Sequence, residues 1–163
     1  MSQRYLIALG SNVRHHRHGP PERVLAAALD ALRDAGVTVG GVSPVMRSAP
    51  LGPSRRRYAN AAALIETGLM PPDLLALLKR AERRFGRRSG GRRWTSRVLD
   101  LDVIFWSAGT WVSPGLTVPH LEFRQRAFVL QPAAAIAPRW RDPLTGLTPR
   151  HLAARLAKPK RRP

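Results

Sequence analysis

Two carboxylates stand two residues apart in an otherwise apolar run, Asp100-Leu101-Asp102, followed by Val103 and Ile104. Residues of a β-strand alternate between its two faces, so the run predicts that Asp100 and Asp102 project on the same side of a sheet. Two neighbouring anions need a cation between them, and a hard divalent metal that also binds phosphate is the natural candidate. The pair therefore indicates phosphoryl chemistry. A solvated sheet face, or a pair neutralised by nearby arginines, is the alternative that the spacing leaves open.

The segment before the carboxylate pair is rich in arginine and glycine. Residues 83–99 contain seven arginines, three glycines and no acidic residue. The glycines favour a mobile loop over a continued helix. Guanidinium groups suit bidentate contacts with phosphate, so the segment predicts a loop that binds a metal–polyphosphate. For any single arginine of this segment, a solvated loop cation is the alternative.

Composition restricts the class of protein. The chain has 163 residues, of which 44% are hydrophobic and none is cysteine. This predicts one domain with a substantial core and without a disulfide or a thiolate site. No stretch has the length and apolarity of a membrane span, and the amino-terminal residues do not resemble a signal peptide. A cytoplasmic protein that does not bind membranes is expected.

Charge is the other strong feature of the composition. The formal net charge is +18, which predicts attraction to polyanions such as nucleotides or nucleic acids. The basic residues are spread along the chain and no RNA-reading motif is present, so specific nucleic-acid binding is not expected. A basic nucleic-acid-binding module stays open as the alternative class. The basic composition of residues 157–163 indicates a disordered tail. The histidines and arginines at residues 14–18 indicate a solvated loop rather than a metal site, because the arginines repel cations.

Apolar periodicity, with proline and glycine as boundaries, predicts the order of the elements. Strands are expected over residues 5–9, 37–47 and 98–106, and helices over 21–35 and 72–85. The run 58–67 is ambiguous, because its alanines favour a helix whereas its length and flanks allow a strand. A loop at 48–57, a short strand at 110–112, a turn at 116–120, a short helix at 123–131, a proline-rich loop and a last helix at 148–156 complete the chain. With 58–67 as a strand, the order βαββαβ predicts an α+β, ferredoxin-like sandwich with C-terminal additions, in a single domain over residues 1–156.

Short motifs lie on these elements at defined spacings. In chain order they are Gly10-Ser11-Asn12, Ser48-Ala49-Pro50-Leu51-Gly52-Pro53, Tyr58-x-Asn60-Ala61-Ala62, Glu82, Arg97-x-x-Asp100-Leu101-Asp102 and Thr117-Val118-Pro119-His120. Their joint, collinear occurrence between residues 4 and 138 resembles the 6-hydroxymethyl-7,8-dihydropterin pyrophosphokinase family of folate biosynthesis. The resemblance implies a ferredoxin-like fold and transfer of diphosphate from ATP to the hydroxymethyl group of the pterin, with release of AMP. A Walker-type phosphate loop is absent from the sequence.

The resemblance also implies roles for individual residues. Asp100 and Asp102 would bind two Mg²⁺ ions against the ATP phosphates, and Arg87 and Arg97 would contact phosphates from a catalytic loop. The implied pterin-binding residues are Ser48, Ala49, Leu51, Tyr58, Asn60, Trp94 and Phe128. The implied ATP-binding residues are Lys79, Glu82, Arg87, Trp94, Arg97, Ile104, Thr117, His120 and Arg126. ATP and a hydroxymethyl-dihydropterin are the implied partners, and a monomer is expected.

The sequence departs from the family's pattern at several positions. Lys79 stands where glutamine is usual, Gly115 where some members have arginine, Leu121 where many have tyrosine, and Thr95-Ser96 where Gly-Pro is usual. A lysine can reach a phosphate but cannot accept a hydrogen bond. These departures concern the nucleotide side and leave the predicted metal and pterin residues in place. A relative that acts on a modified pterin, or that binds without turnover, stays open as an alternative.

Overall fold

A five-stranded antiparallel sheet organises the protein in a computed structural model, which describes residues 1–48, 57–86 and 98–160. Its strands are β1 (Gln3–Ser11), β2 (Thr38–Val42), β3 (Met46–Ser48), β4 (Tyr58–Thr67) and β5 (Asp100–Trp106). The strand order is β2-β4-β1-β5, and β3 pairs with the other end of β4. Helix α1 (Pro21–Asp34) follows β1, and helix α2 (Pro71–Arg84) follows β4. The predicted βαββαβ order and ferredoxin-like arrangement are therefore confirmed.

The first two helices cover one face of the sheet. Each begins at proline, which suits the first helical turn because the missing N–H has no partner there anyway. Apolar residues at helical spacing, such as Leu25, Leu29 and Leu32 in α1, form the buried stripe that the sequence predicts. They pack with the strand residues that point to the same face, among them Ile7, Leu101 and Val103. This packing forms the larger of two hydrophobic cores.

The carboxy-terminal part packs against the opposite face of the sheet. It contains a 3-10 turn (Phe123–Gln125), helix α3 (Ala127–Ile136) and helix α4 (Pro149–Ala157), whereas the preceding hairpin of β6 (Trp111–Ser113) and β7 (Leu116–Val118) joins the larger core through Leu116 and Val118. Leu130 of α3 and Leu152 of α4 enter a second core with Leu6, Ile104 and Phe105. The Asp142 side chain is fully buried and pairs with Arg124 at 2.6 Å, which joins the 3-10 turn to the loop before α4. No helix in the described part of the chain could cross a membrane.

Three local predictions were wrong or incomplete. The predicted strand 37–47 is two strands, β2 and β3, separated at residues 43–45, where the Ser43 hydroxyl accepts a hydrogen bond from the Ala62 amide; the pairing of β2 with β4 is also irregular between Val39 and Val42. Residues 116–118, predicted as a turn, pair with β6 as strand β7, and the turn follows at a cis peptide bond before Pro119. The ambiguous run 58–67 is strand β4, which pairs with β1 along its whole length.

Helix α3 continues past the point where the sequence predicted its end. Pro132 lies inside the helix, although a proline there removes one backbone hydrogen bond and costs about 3 kcal/mol. The residues around it, Val129, Leu130 and Ala133, are all buried in the second core. Burial of this face outweighs the local preference of proline, so the helix runs to Ile136 instead of ending at residue 131.

The histidine-rich loop at residues 14–18 is less solvated than predicted. His15 is only 8% exposed, its ring stacks on His16 at a centroid distance of 4.4 Å, and its Nδ1 accepts the Arg17 amide. His18 stacks on Phe85 at the end of α2, with the centroids 5.1 Å apart. Arg14, His16 and Arg17 are exposed as expected. The loop is therefore packed against α2 by ring contacts that its charge alone does not reveal.

Candidate active site

Asp100 and Asp102 point to the same face of β5, as the alternation predicted. Both are partly buried, whereas the intervening Leu101 and the following Val103 are buried in the larger core on the other face. In the sheet register, Asp100 lies opposite Gly10 of β1, and Gly10 lies opposite Asn60 of β4. A cross-strand row therefore runs from a carboxylate through a glycine to an amide. The row brings together three residues that lie far apart in the sequence.

Gly10 keeps the middle of this row free of side-chain atoms. A Cβ atom placed there would lie 3.3 Å from Asn60 Oδ1 and 3.7 Å from Tyr58 Cδ1. The first distance is tighter than an ordinary van der Waals contact, so a side chain would force Asn60 to move. Asn60 is only 4% exposed, and it has little room for such a movement. The glycine thus leaves an open floor between the amide and the carboxylate.

A cavity of about 710 Å³ stands above this floor. Its volume lies within the usual range for small-molecule sites. The cavity brings together, from β4, α2, β5, β7, the segment 119–126 and α3, these residues predicted for the site: Tyr58, Asn60, Lys79, Glu82, Asp100, Asp102, Thr117, His120, Arg126 and Phe128. Three residues predicted for the pterin, Tyr58, Asn60 and Phe128, therefore share one continuous space with residues predicted for the nucleotide.

His120 presents a defined tautomer to the cavity. Its Nδ1 accepts a hydrogen bond from the Glu122 amide at 3.2 Å, so the neutral ring carries its proton on Nε2. Burial lowers the pKa of His120, the charge of Asp102 opposes that shift, and Arg126 adds to it. The net direction favours the neutral ring near neutral pH. His120 can therefore donate one hydrogen bond without bringing a second positive charge beside Arg126.

Arg126 places a cation at the cavity wall. Its Nη2 donates to Glu122 Oε2 at 2.6 Å, and its guanidinium carbon lies 5.8 Å from the centre of the Phe128 ring. Glu122 is largely exposed, so its ion pair with Arg126 contributes little to stability, about 0–1 kcal/mol. Glu122 was not among the predicted site residues. The spacing of four residues between Glu122 and Arg126 is the signal that could have indicated this pair.

The residues that depart from the family's pattern also lie at the cavity. Lys79 is exposed on α2, and Leu121 is 74% exposed at the rim. Gly115 has a φ of +77° in the turn between β6 and β7, a conformation that glycine adopts without strain. The backbone of this turn therefore explains why glycine stands at position 115. Thr95 and Ser96 lie outside the described residues.

Some predicted site residues are not brought to the cavity. Ile104 is 1% exposed and packs in the second core, and its carbonyl accepts the His120 amide at 3.2 Å. The register of β5 against β1 shifts there, since Val103 faces Ile7 and Phe105 faces Leu6. Ser48 ends β3 opposite Tyr58. The predictions for Ala49, Leu51, Arg87, Trp94 and Arg97 fall outside the described residues.

The donor set of the carboxylate pair suits magnesium. Two carboxylates on one open face can bind an ion that retains several waters and takes phosphate oxygens as further ligands. Within residues 1–48, 57–86 and 98–160, no three histidine, cysteine, aspartate or glutamate side chains converge to enclose a metal ion. The geometry therefore fits a site that a metal–phosphate completes, and it does not resemble a closed structural site.

Comparisons with known proteins agree with this geometry. The family model described as 7,8-dihydro-6-hydroxymethylpterin-pyrophosphokinase matches residues 6–138. A 2-amino-4-hydroxy-6-hydroxymethyldihydropteridine pyrophosphokinase from Pseudomonas aeruginosa is 40% identical over 156 residues, covering 94% of this chain and 93% of the relative. The enzyme of the same name from Haemophilus influenzae is 40% identical over 133 residues, covering 80% of this chain and 79% of the relative.

Solved structures show the same fold at low sequence identity. Wild-type Plasmodium falciparum HPPK-DHPS, solved with pteroate, superposes with a TM-score of 0.71 at 11% identity and covers 95% of this chain. The chain spans only 42% of that longer protein. The triple mutant S436F/A437G/A613S of the same protein gives a TM-score of 0.73. Because the family model matches residues 6–138 and two bacterial enzymes are 40% identical to the chain, the chain belongs to the 7,8-dihydro-6-hydroxymethylpterin-pyrophosphokinase family.

Proposed function

We propose that this protein transfers diphosphate from ATP to the hydroxymethyl group of 6-hydroxymethyl-7,8-dihydropterin and releases AMP, as a step of folate biosynthesis. The observation that carries the proposal is the shared cavity, in which the Asp100–Asp102 pair stands beside an aromatic and amide subsite. In the reaction, the pterin hydroxyl oxygen bonds to the β-phosphorus of ATP and gives up its proton to solvent, and the bond from that phosphorus to the oxygen bridging the α-phosphate breaks. AMP leaves with the bridging oxygen.

The acceptor binds on the β4 side of the cavity. Tyr58 and Phe128 offer ring faces to a flat bicyclic molecule, and such contacts favour stacking. Asn60 has both a donor and an acceptor in its amide, which matches the aminopyrimidinone edge of a pterin. Because Asn60 is 4% exposed, its amide is held in place before the pterin arrives. This side of the cavity therefore orients the hydroxymethyl arm towards β5.

The nucleotide binds on the side of β7, the 3-10 turn and α2. Arg126 and Lys79 supply positive charge at the cavity wall, and the neutral His120 ring donates a hydrogen bond from Nε2. Glu122 holds Arg126 until a phosphate replaces it. These groups neutralise and orient the phosphates for in-line transfer, so electrostatic stabilisation and positioning supply most of the catalysis.

Asp100 and Asp102 would hold magnesium in this site, two ions by the family resemblance. When bound, the metal neutralises phosphate charge and fixes the orientation of the transferred group. The chain's own contribution is to keep both carboxylates on one face of β5, at the end of the row that leads to Asn60. The arginines at 87 and 97 are proposed to add phosphate contacts.

Release of AMP tests the proposal. The purified chain is incubated with ATP, Mg²⁺ and 6-hydroxymethyl-7,8-dihydropterin, and AMP is measured with and without the pterin. We expect pterin-dependent AMP, and a loss of roughly 10²- to 10³-fold in kcat for Asp100→Asn or Asp102→Asn, the scale of losing one electrostatic stabiliser. Asp34→Asn, on the exposed end of α1, is the matched control and keeps the wild-type rate. Pterin-independent AMP, or full activity of both variants, contradicts the proposal.

A further inference from the structure

Glu82 is a buried carboxylate directed at the metal-binding strand. It lies in the last turns of α2 and is only 4% exposed. Its Oε1 accepts a hydrogen bond from the Leu101 amide at 2.9 Å. Leu101 is the residue between Asp100 and Asp102. A side chain from a helix therefore holds the peptide that separates the two carboxylates.

The position of β5 in the sheet explains why this amide needs a partner. In the described part of the chain, β5 is the last strand of the order β2-β4-β1-β5 and has a neighbouring strand only on the β1 side. An edge strand leaves alternate amides without a partner in the ladder. The Leu101 amide is one of these, and it lies in the interior, where water does not replace the missing strand. The Glu82 carboxylate accepts the hydrogen bond that a further strand would otherwise accept.

Glu82 does not form a third ligand with the aspartates in the described structure. No three carboxylate or histidine side chains of the described segments converge to hold a metal. Its carboxylate oxygen is instead aimed at backbone nitrogen. Rotation of the peptide at Leu101 would swing the backbone of the residues on both sides. The contact can therefore control how the two metal-binding carboxylates are oriented relative to each other.

We propose that Glu82 is a positioning residue for the metal site, acting through its hydrogen bond to the Leu101 amide; this inference rests on the proposed function. Its effect depends on the reach of the side-chain oxygen rather than on the negative charge. Residues that orient metal ligands typically change metal affinity by about 10- to 100-fold when they are removed. The same scale is expected here for loss of the hydrogen bond.

Two conservative variants of Glu82 distinguish the effect of the position of its side-chain oxygen from the effect of its negative charge. Glu82→Gln keeps an oxygen at the same distance and removes the charge, whereas Glu82→Asp keeps the charge and withdraws the oxygen by about 1.5 Å, the length of one carbon–carbon bond. The matched controls are Glu66→Gln and Glu66→Asp on the exposed end of β4. The metal probe is Mn²⁺, titrated by electron paramagnetic resonance in the presence of a non-hydrolysable ATP analogue. Exchange of the Leu101 amide hydrogen is followed by NMR on the same proteins.

We expect Glu82→Gln to bind Mn²⁺ within about threefold of wild type and to keep the Leu101 amide protected. Glu82→Asp should bind Mn²⁺ at least about tenfold more weakly and lose that protection, while pterin affinity stays within about twofold. The reverse order of the two variants would show that charge matters and would overturn the proposal. Equal Mn²⁺ affinity in all variants would also overturn it. Because the readouts are Mn²⁺ binding and amide exchange, they remain informative if the wild-type protein releases no AMP, which would refute the proposed function alone.

Discussion

Substitution of Gly10 by alanine tests whether the open floor of the cavity serves the acceptor. The added Cβ would lie 3.3 Å from Asn60 Oδ1, so the amide must shift by a few tenths of an ångström against a buried surrounding. Asn60 offers one donor and one acceptor to the pterin edge, and each neutral hydrogen bond contributes about 0.5–1.5 kcal/mol. Loss of both costs about 1–3 kcal/mol. We therefore expect the Kd for 6-hydroxymethylpterin to rise by about 5- to 150-fold.

Isothermal titration calorimetry measures this effect. The pterin is titrated in the presence of a non-hydrolysable ATP analogue, and the analogue is then titrated alone. Affinity for the analogue should stay within about twofold, because the atoms nearest to the added Cβ belong to Tyr58, Ala59 and Asn60 on the acceptor side of the cavity. Gly68→Ala is the matched control, since its Cβ would meet no atom within 4 Å. Unchanged pterin affinity in Gly10→Ala, or an equal loss for both ligands, would refute this account of the floor.

Two further predictions concern charged side chains beside the cavity. Arg126→Ala should raise KM for ATP by about 10- to 150-fold, which corresponds to the loss of one charge-assisted hydrogen bond of about 1.5–3 kcal/mol. The control variant Arg139→Ala should keep the wild-type KM. The prediction is contradicted if steady-state kinetics give the same KM for ATP in both variants. Burial opposes ionisation of Asp142, but hydrogen bonds from Arg124, the Leu144 amide and Thr145 outweigh it and lower the pKa of this carboxyl. The stability that this carboxylate contributes is present above the pKa of the unfolded carboxyl and is lost as pH falls towards the lower pKa of the folded state. The free energy of unfolding in urea should therefore be about 3 kcal/mol lower for Asp142→Asn at neutral pH, and it should decrease less on acidification than that of the wild type. Parallel plots of unfolding free energy against pH for the two proteins would contradict this prediction.

The local part of the site could be predicted from the sequence. Alternation along β5 placed Asp100 and Asp102 on one face, and the structure has them there, because side-chain direction in a strand depends only on position along it. Helices α1 and α2 followed from their apolar stripes and proline starts. These features depend on neighbouring residues, so no knowledge of the remaining chain was needed.

The rest depends on contacts between distant segments. Nothing near Gly10 in the sequence indicates that it lies opposite both Asp100 and Asn60, because that register is set by pairing across three strands. The alanine-rich sequence of β4 does not distinguish a helix from a strand by residue propensity. The segment is a strand because it pairs with β1 along the whole length of β1. Pro132 remains helical because burial around it outweighs its local preference. Ile104 lies on the same face of β5 as Asp100 and Asp102, but the second core covers that face at its position and buries the side chain.

The row formed by Asp100, Gly10 and Asn60 has a consequence for the choice of acceptor. Neighbouring strands lie about 4.8 Å apart, so the backbone of Asp100 and that of Asn60 are separated by two spacings, about 9.6 Å. Backbone hydrogen bonds through β1 hold this separation, and no rotamer change can adjust it. A pterin alcohol with one more methylene would carry its oxygen about 1.5 Å past the position that the hydroxymethyl arm reaches. With the acceptor bound at Asn60 as proposed, a misplacement of about 1 Å can cost 100-fold in rate, so we expect the sheet to select acceptors by the length of their arm.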